Sequence, residues 1–471
     1  MGVNCKFSIK GLLVLAATHS TAQQHSLVLK TLMDQLNPKD PLCLLAKRIP
    51  WEDLHAEFAG FYSEVGRPAK DTRLMIGLLI LKQLENLSDE RLVVEWCRNP
   101  YFQAFCGMMH FQWQLPCDPS DITRFRKRIG EKGCERIFQV SAQMHQREAE
   151  EKAGKEKKSS EKPFASEVIV DSTVQEKNIA YPTDSGLYRK IIENIIKIGR
   201  REKVSFRQTY AREISHLLRN IRFNRGKAIK KAKRAIQRLH TIAGRLVREL
   251  KRNFSESQAE KYQDILENCE KILSQKRGDT DRIYSLHEPQ AVCITKGKAG
   301  KKHEYGSKAS ICVDKASCVI VGVASFNAAK NDSKTLEATL SSVFRTLGRE
   351  PEVALCDRGY RGRDKVGATE IRIPTPPQAF ASVEDRKKAK ADFGRRSAIE
   401  PVIGHLKSDF RMVRNYLKGS VGDTINLLMA AAAFNFRKWM TVCTSMLVFC
   451  IRVALEAISC IGRGKRTPAA A

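Results

Sequence analysis

Five short apolar runs, rich in β-branched residues, constrain the fold of this chain more than any other feature: Glu167-Val-Ile-Val-Asp171, Gln290-Ala-Val-Cys-Ile-Thr295, Ser310-Ile-Cys-Val313, Cys318-Val-Ile-Val-Gly-Val323 and Glu352-Val-Ala-Leu-Cys-Asp357. Runs of this length and composition predict strands buried in a sheet. A helical period from about Ser333 to Leu347 precedes the last run, so an α/β sheet domain is expected. The first and last runs end on an aspartate, which would put Asp171 and Asp357 at strand tips.

The remainder reads as helix. From Trp51 to about His145 apolar residues recur at three- and four-residue steps, punctuated at Gly66-Arg-Pro68, Ser88, Asn99-Pro100 and Pro116-Cys-Asp-Pro119. Ser120 is expected to cap a helix that carries Arg124, Lys127 and Arg128 on one exposed side, either a phosphate-contacting face or a solvated basic one. Residues 149–163 are charged and rich in Ser and Gly, which predicts a flexible linker and a domain boundary. Between the first two strands a helical insertion runs from about Leu187 to Gln275, and its portion 187–252 holds 21 Lys and Arg against 4 Asp and Glu. Such a surface tracks phosphates or stands as a solvated hairpin.

With 471 residues, two or three cores are expected. The 82 Lys and Arg against 52 Asp and Glu leave a charge of +30, which calls for a polyanion: nucleic acid, or a membrane surface. The 14 cysteines form no CxxC pair and read as reduced, in a cytoplasmic, nucleoid-associated protein. Lys6 and Lys10 before Gly11–Ala17 imitate a signal peptide, but the run is short and the charge argues against export. Arg452 and Glu456 interrupt the apolar stretch 440–461, which fits a buried or partner-facing helix better than a membrane span. No phosphate-binding Gly-x4-Gly-Lys-Ser/Thr loop occurs, and Gly297–Lys302 reads as a basic hairpin turn.

Phosphoryl transfer needs an in-line nucleophile and stabilised attacking and leaving oxygens, which two hard cations about 4 Å apart supply. Acids on sheet strands suit such ions, and a third acid from a helix completes the ligand set. Asp357 precedes Arg358-Gly-Tyr-Arg-Gly362, where Arg358 and Arg361 can face a phosphate. Glu400 lies between Arg396 and Lys407, and on one continuous helix the three would share a face. The rival for Glu400 is a capping box, Ser397-Ala-Ile-Glu400, with Pro401 in the first turn.

In combination these residues resemble the insertion-sequence transposases of family five, within the wider family-four group of DDE enzymes. The likeness is carried by Asp171-Ser-Thr-Val with Asn178-Ile-Ala-Tyr-Pro-Thr-Asp184, by Cys356-Asp-Arg-Gly-Tyr-Arg-Gly362, and by Arg395-Arg-Ser-Ala-Ile-Glu-Pro-Val-Ile-Gly-His-Leu-Lys407. Gly419 to Asp423 and Asn435-Phe-Arg-Lys438 continue it. Upstream it extends to Gly66-Arg-Pro68, Leu87-Ser-Asp89, Asn99-Pro-Tyr101, Leu115-Pro-Cys-Asp118 and Arg124-Phe-Arg-Lys-Arg-Ile-Gly130. Phe393 departs from the wider group's tyrosine, which removes a hydroxyl contact to phosphate.

The resemblance covers about residues 33–440. It implies a ribonuclease-H-like α/β catalytic core (166–440) with a basic helical insertion at about 187–283, preceded by an all-α DNA-binding domain (33–148) and a linker (149–165). An amino-terminal extension (1–32), upstream of a start near Met33, and a carboxy-terminal tail (441–471) flank these. It implies catalysis by Asp171, Asp357 and Glu400 on two Mg2+ or Mn2+, with Arg396 and Lys407 on the phosphates, inverted-repeat ends and target DNA as substrates, and a dimer or higher oligomer. The rivals are a structure-specific metal-dependent nuclease of the same fold, an idle transposase-derived DNA-binding protein, and a polybasic membrane-surface protein.

Overall fold

The computed structural model describes residues 31–62, 69–156, 163–224, 228–295, 303–328, 331–374 and 382–463. The extension before Thr31, the turn at Gly66-Arg67-Pro68 and the basic turn at Gly297–Lys302 fall outside these. Among the described residues seven strands form one mixed sheet: β1 (Glu167–Glu176), β2 (Val292–Thr295), β3 (His303–Asp314), β4 (Ile320–Phe326), β5 (Val353–Leu355), β6 (Lys365–Val366) and β7 (Thr369–Arg372). Its order is β2-β3-β1-β5-β7-β6, with β4 also paired to β3. β1 runs antiparallel to β3 over nine residue pairs and parallel to β5, which runs parallel to β7.

The two-residue alternation of β1 splits its side chains between two cores. Val168 and Val170 pack with Leu336, Leu340 and Val343 of the helix Leu336–Leu347. Ile169 faces the opposite side, where Leu355 and Ile311 meet the helix Gly419–Arg463 and the amino-terminal helices. Among the described residues, the helices of residues 32–156 and this face of the sheet share one core. The linker is shorter than expected, because the helix Pro119–Glu156 continues through residues 149–156, whose Glu, Ala and Lys favour helix. This helix bends at Gly130, at φ 56°, and starts at Pro119 with the Asp118 carboxylate accepting from the Ser120 N–H, so Asp118 takes the capping role expected of Ser120.

Helices Asp184–Arg201, Ala211–Phe223, Ile229–Asn253, Glu256–Lys261 and Gln263–Ser274 lie between β1 and β2 and bury a core of their own, including Ile191, Ile195, Leu239, Ile242, Leu246 and Leu266. The helix from Gly419 continues without a break to Arg463, and among the described residues no helix is long and apolar enough to cross a membrane.

Where the amino-terminal helices meet, Lys82 and Arg126 are buried and share Asp89 at 2.5 and 2.8 Å. Burial, then the Arg126 charge, push the Lys82 ammonium down to about 8. A base whose folded pKa lies below its unfolded value adds stability as pH rises between the two. The stability of wild type minus that of Lys82→Met is expected to climb from about pH 8 to about pH 10, by at most about 1.4 kcal/mol per pH unit. Urea unfolding across that range measures it, and a flat difference would mean that Lys82 stays charged.

Candidate active site

Strand register brings the two aspartates side by side. Ile169 of β1 lies opposite Leu355 of β5. Two residues further along each chain, and so on the same side by the pleat, come Asp171 and Asp357. Asp171 is not at a strand tip, because β3 pairs β1 as far as Glu176, with Asp171 opposite Ile311. It is β5 that ends, at Leu355, and beyond it the Asp357 carboxylate turns to accept the Gly359 N–H at 2.8 Å.

The third acid comes from a broken helix. Val383–Arg396 stops, Ser397 and Ala398 form a turn, and Ile399–Ser408 begins afresh. Arg396 and Glu400 are thus not on one continuous helix. The capping box is absent as well: Ala398 is the cap, and the Ser397 hydroxyl donates to the Gly394 carbonyl. Ile399, Val402 and Leu406 anchor the second helix in the core shared with Ile169 and Leu355, which leaves Glu400 on the exposed side with Pro401 in the first turn. The first helix is tied down by Arg395, which donates to the carbonyls of Lys315 and Ala316, and by Lys315, whose ammonium bridges Glu167 and Asp392 at 2.7 Å each.

Those anchors put the Arg396 guanidinium among all three acids, 3.6 Å from Asp171, 3.9 Å from Asp357 and 3.8 Å from Glu400. The acids grade from half-buried to exposed, with side-chain exposures of 17, 35 and 61% for Asp171, Asp357 and Glu400. Burial raises the Asp171 pKa above the usual carboxylate range, and the charges of Asp357 and Asp332 add to the rise against the Ser172 N–H and Arg396.

Asp332, a fourth carboxylate, is missed by the sequence reading. It accepts from the Ser172 hydroxyl at 2.5 Å and pairs with Lys308 at 2.7 Å. A Cβ added to Gly359 would lie 2.9 Å from an oxygen of Asp332 and 3.0 Å from one of Asp357, so any larger residue would push these two acids aside. The signal was faint: an acid just ahead of the helix Leu336–Leu347 reads as a capping residue.

Three carboxylates converging from three elements are the donor set of a hard divalent cation. Among the described residues no three His, Cys, Asp or Glu side chains stand close enough to clasp an ion directly. Like charges repel, and here they gather the nearest cation, Arg396. Arg396→Gln is accordingly expected to tighten Mn2+ binding to DNA-free protein by on the order of 30-fold, the worth of a unit charge against a divalent ion near 4 Å in water. Free Mn2+ counted by electron paramagnetic resonance reads this, and unchanged binding would mean that the guanidinium does not compete.

Of the other predicted residues, Lys407 is half-buried on the Glu400 helix, and Arg358 and Arg361 are exposed in the turn after Asp357. Arg124, Lys127 and Arg128 are all exposed on the long helix Pro119–Glu156, away from the carboxylates in sequence. Arg124 pairs with Asp121 at 2.8 Å, and Arg128 stacks over the Tyr62 ring at 4.6 Å.

Residues 30–128 match the family described as Transposase domain (DUF772), and residues 285–436 match the Transposase DDE domain. An uncharacterized protein of Rhizobium meliloti, ORF8 of the nfe locus, is 43% identical over 177 residues, which are 38% of this chain and 81% of that relative. No solved structure matches the chain.

Proposed function

The chain belongs to the DDE transposases, whose catalytic domain is an α/β core of the ribonuclease-H kind, and from that premise we propose that it cuts the ends of an insertion sequence and joins them to target DNA. The observation that carries this reading is the convergence of Asp171, Asp357 and Glu400 within 4 Å of one guanidinium. Asp171 and Asp357 are fixed by the sheet, and Glu400 by its helix, so all three are held for divalent cations by elements that share one core. Divalent cations held by these three carboxylates would lower the pKa of the attacking hydroxyl and stabilise the leaving oxygen.

The chain's own residues supply the rest. Arg396, released from the acids, and Lys407 hold the phosphates that flank the scissile bond; Arg358 and Arg361 are placed to do so from the turn after β5. Water attacks the phosphorus at an element end, freeing a 3′-hydroxyl, which attacks a target phosphodiester and releases the target's own 3′-oxygen. Arg124, Lys127, Arg128 and the basic insertion carry the duplex along the terminal inverted repeats. Two ends processed together call for a dimer or larger assembly. The finer affiliation, family five, rests on the residues around the three acids.

Labelled element ends incubated with target plasmid and Mg2+ test this: nicked ends and joined products are both expected. Nicks without joining would point to a structure-specific nuclease, and DNA retained with neither product to an idle binding protein.

A further inference from the structure

The junction between the amino-terminal helices and the loop after the Glu400 helix encloses a cavity whose wall holds four cations, Lys82, Arg126, Arg411 and Arg414, and no carboxylate. Leu79 and Gln83 from the helix Thr72–Leu84, and Tyr416, Ile425 and Asn426, also line it. Asp89 stands behind it, already shared between Lys82 and Arg126, and Glu90 adds a more distant charge beside Arg411. Lys82 and Arg126 are 9 and 6% exposed, and a buried cation without a full counter-charge is expensive.

The backbone is also forced here. Arg411 sits at φ 60°, in the left-handed region that bulky side chains avoid, close to Asn86 at φ 53°, a residue type that tolerates it, and the Arg411 guanidinium donates to the Asn86 carbonyl at 2.9 Å. Strain of this kind persists where a function requires the geometry. Tyr416 is exposed, and Arg411 lies 5.8 Å from its ring centroid. The cavity volume, about 30 Å3, admits two oxygens of a phosphate group but not a nucleotide.

We propose that this pocket binds a backbone phosphate of the DNA, clamping the duplex at the seam between the amino-terminal helices and the catalytic core. The DNA as the source of the phosphate rests on the transposase reading; the phosphate chemistry of the pocket does not. Arg411 follows the helix Ile399–Ser408 by only two residues, Asp409 and Phe410, so a phosphate held here is tied by a short link to the element that carries Glu400 and Lys407.

The test uses the full chain, with Arg411→Gln and Arg414→Gln as variants; Arg414 is exposed, so its replacement does not threaten folding. Inorganic phosphate, against chloride at equal ionic strength, is expected to raise the melting temperature of the wild type by on the order of 2 °C and to leave both variants unmoved. With a fluorescent duplex across a KCl series, each variant is expected to lose about one phosphate contact, which lowers the slope of log affinity against log salt by about 0.9. Equal phosphate shifts in wild type and variants, with equal slopes, would overturn the pocket while leaving DNA binding intact. A lost phosphate shift with unchanged slopes would support the site and assign it to free phosphate. Failure of the wild type to hold DNA at low salt would instead sink the transposase reading, and the phosphate arm would still be readable.

Discussion

Asp171→Asn, Asp357→Asn and Glu400→Gln are each expected to lower end cleavage and strand transfer together by at least about 10^3-fold, the scale seen when a member of a catalytic unit is removed. The substitutions keep the shape of each side chain and remove the charge that would hold a divalent cation. Both reactions fall together because one set of acids serves both. Pairing two of the changes is expected to add little, since residues acting as one unit are strongly non-additive. DNA retention should persist or strengthen, because a negative charge has left a basic surface. Stability separates this role from a structural one. Asp171 is half-buried and its pKa is raised, so its charge costs stability above that pKa; Asp171→Asn should melt no lower than wild type near neutral pH. As pH falls toward the ordinary carboxylate range, the wild type gains on the variant. Variants that cleave and join like wild type, or that lose activity only by unfolding, would refute the assignment.

The sheet was legible where chemistry and burial coincide. Val168-Ile169-Val170 reads as strand because both faces of β1 are covered, and the insertion reads as helix because Ile and Leu recur at helical steps beneath a basic face. Tertiary pairing decided what the pattern left open. Ser172–Glu176 extends β1 only because β3 lies alongside, and Thr369–Arg372, polar and short, becomes β7 only because β5 offers its edge. The carboxylates were visible as residue types in suggestive places, while Arg396 among them was not, because it depends on the break at Ser397-Ala398 and on the Arg395 anchor. Some motif residues that carried the family resemblance hold the fold together. Asn435 brackets Ile320 by bonding both its N–H and its C=O, and Asp423 lies in a buried charge network that no local pattern reveals.

Lys177→Met is expected to destabilise the protein by about 3–5 kcal/mol, the usual consequence of removing one partner from a buried ionic cluster. The Lys177 ammonium is sealed at the far end of β1, donating to the carbonyls of Leu417 and Gly419 at 2.8 and 3.0 Å and pairing with Glu288 and Asp423 at 3.2 and 3.1 Å. Glu288 and Asp423 are 5 and 1% exposed, so without the ammonium two acids and two carbonyls lose their shared cation inside the protein. Burial already raises the Asp423 pKa against the pull of Lys177, and removing Lys177 should raise it further. A carboxylate with a raised folded pKa contributes least above that pKa, so the defect should deepen as pH rises from the acid range to neutrality. Adding Asp423→Asn, whose amide oxygen can still accept from Asn415 as the carboxylate does at 2.7 Å, is expected to recover part of the loss. Urea unfolding of the single and double variants at two pH values measures all three effects. The network joins β1, which carries Asp171, to the start of the helix Gly419–Arg463, and through Gln175 and Asn426 to the loop behind Glu400. A loss under about 1 kcal/mol would mean that the cluster is not the brace between these elements.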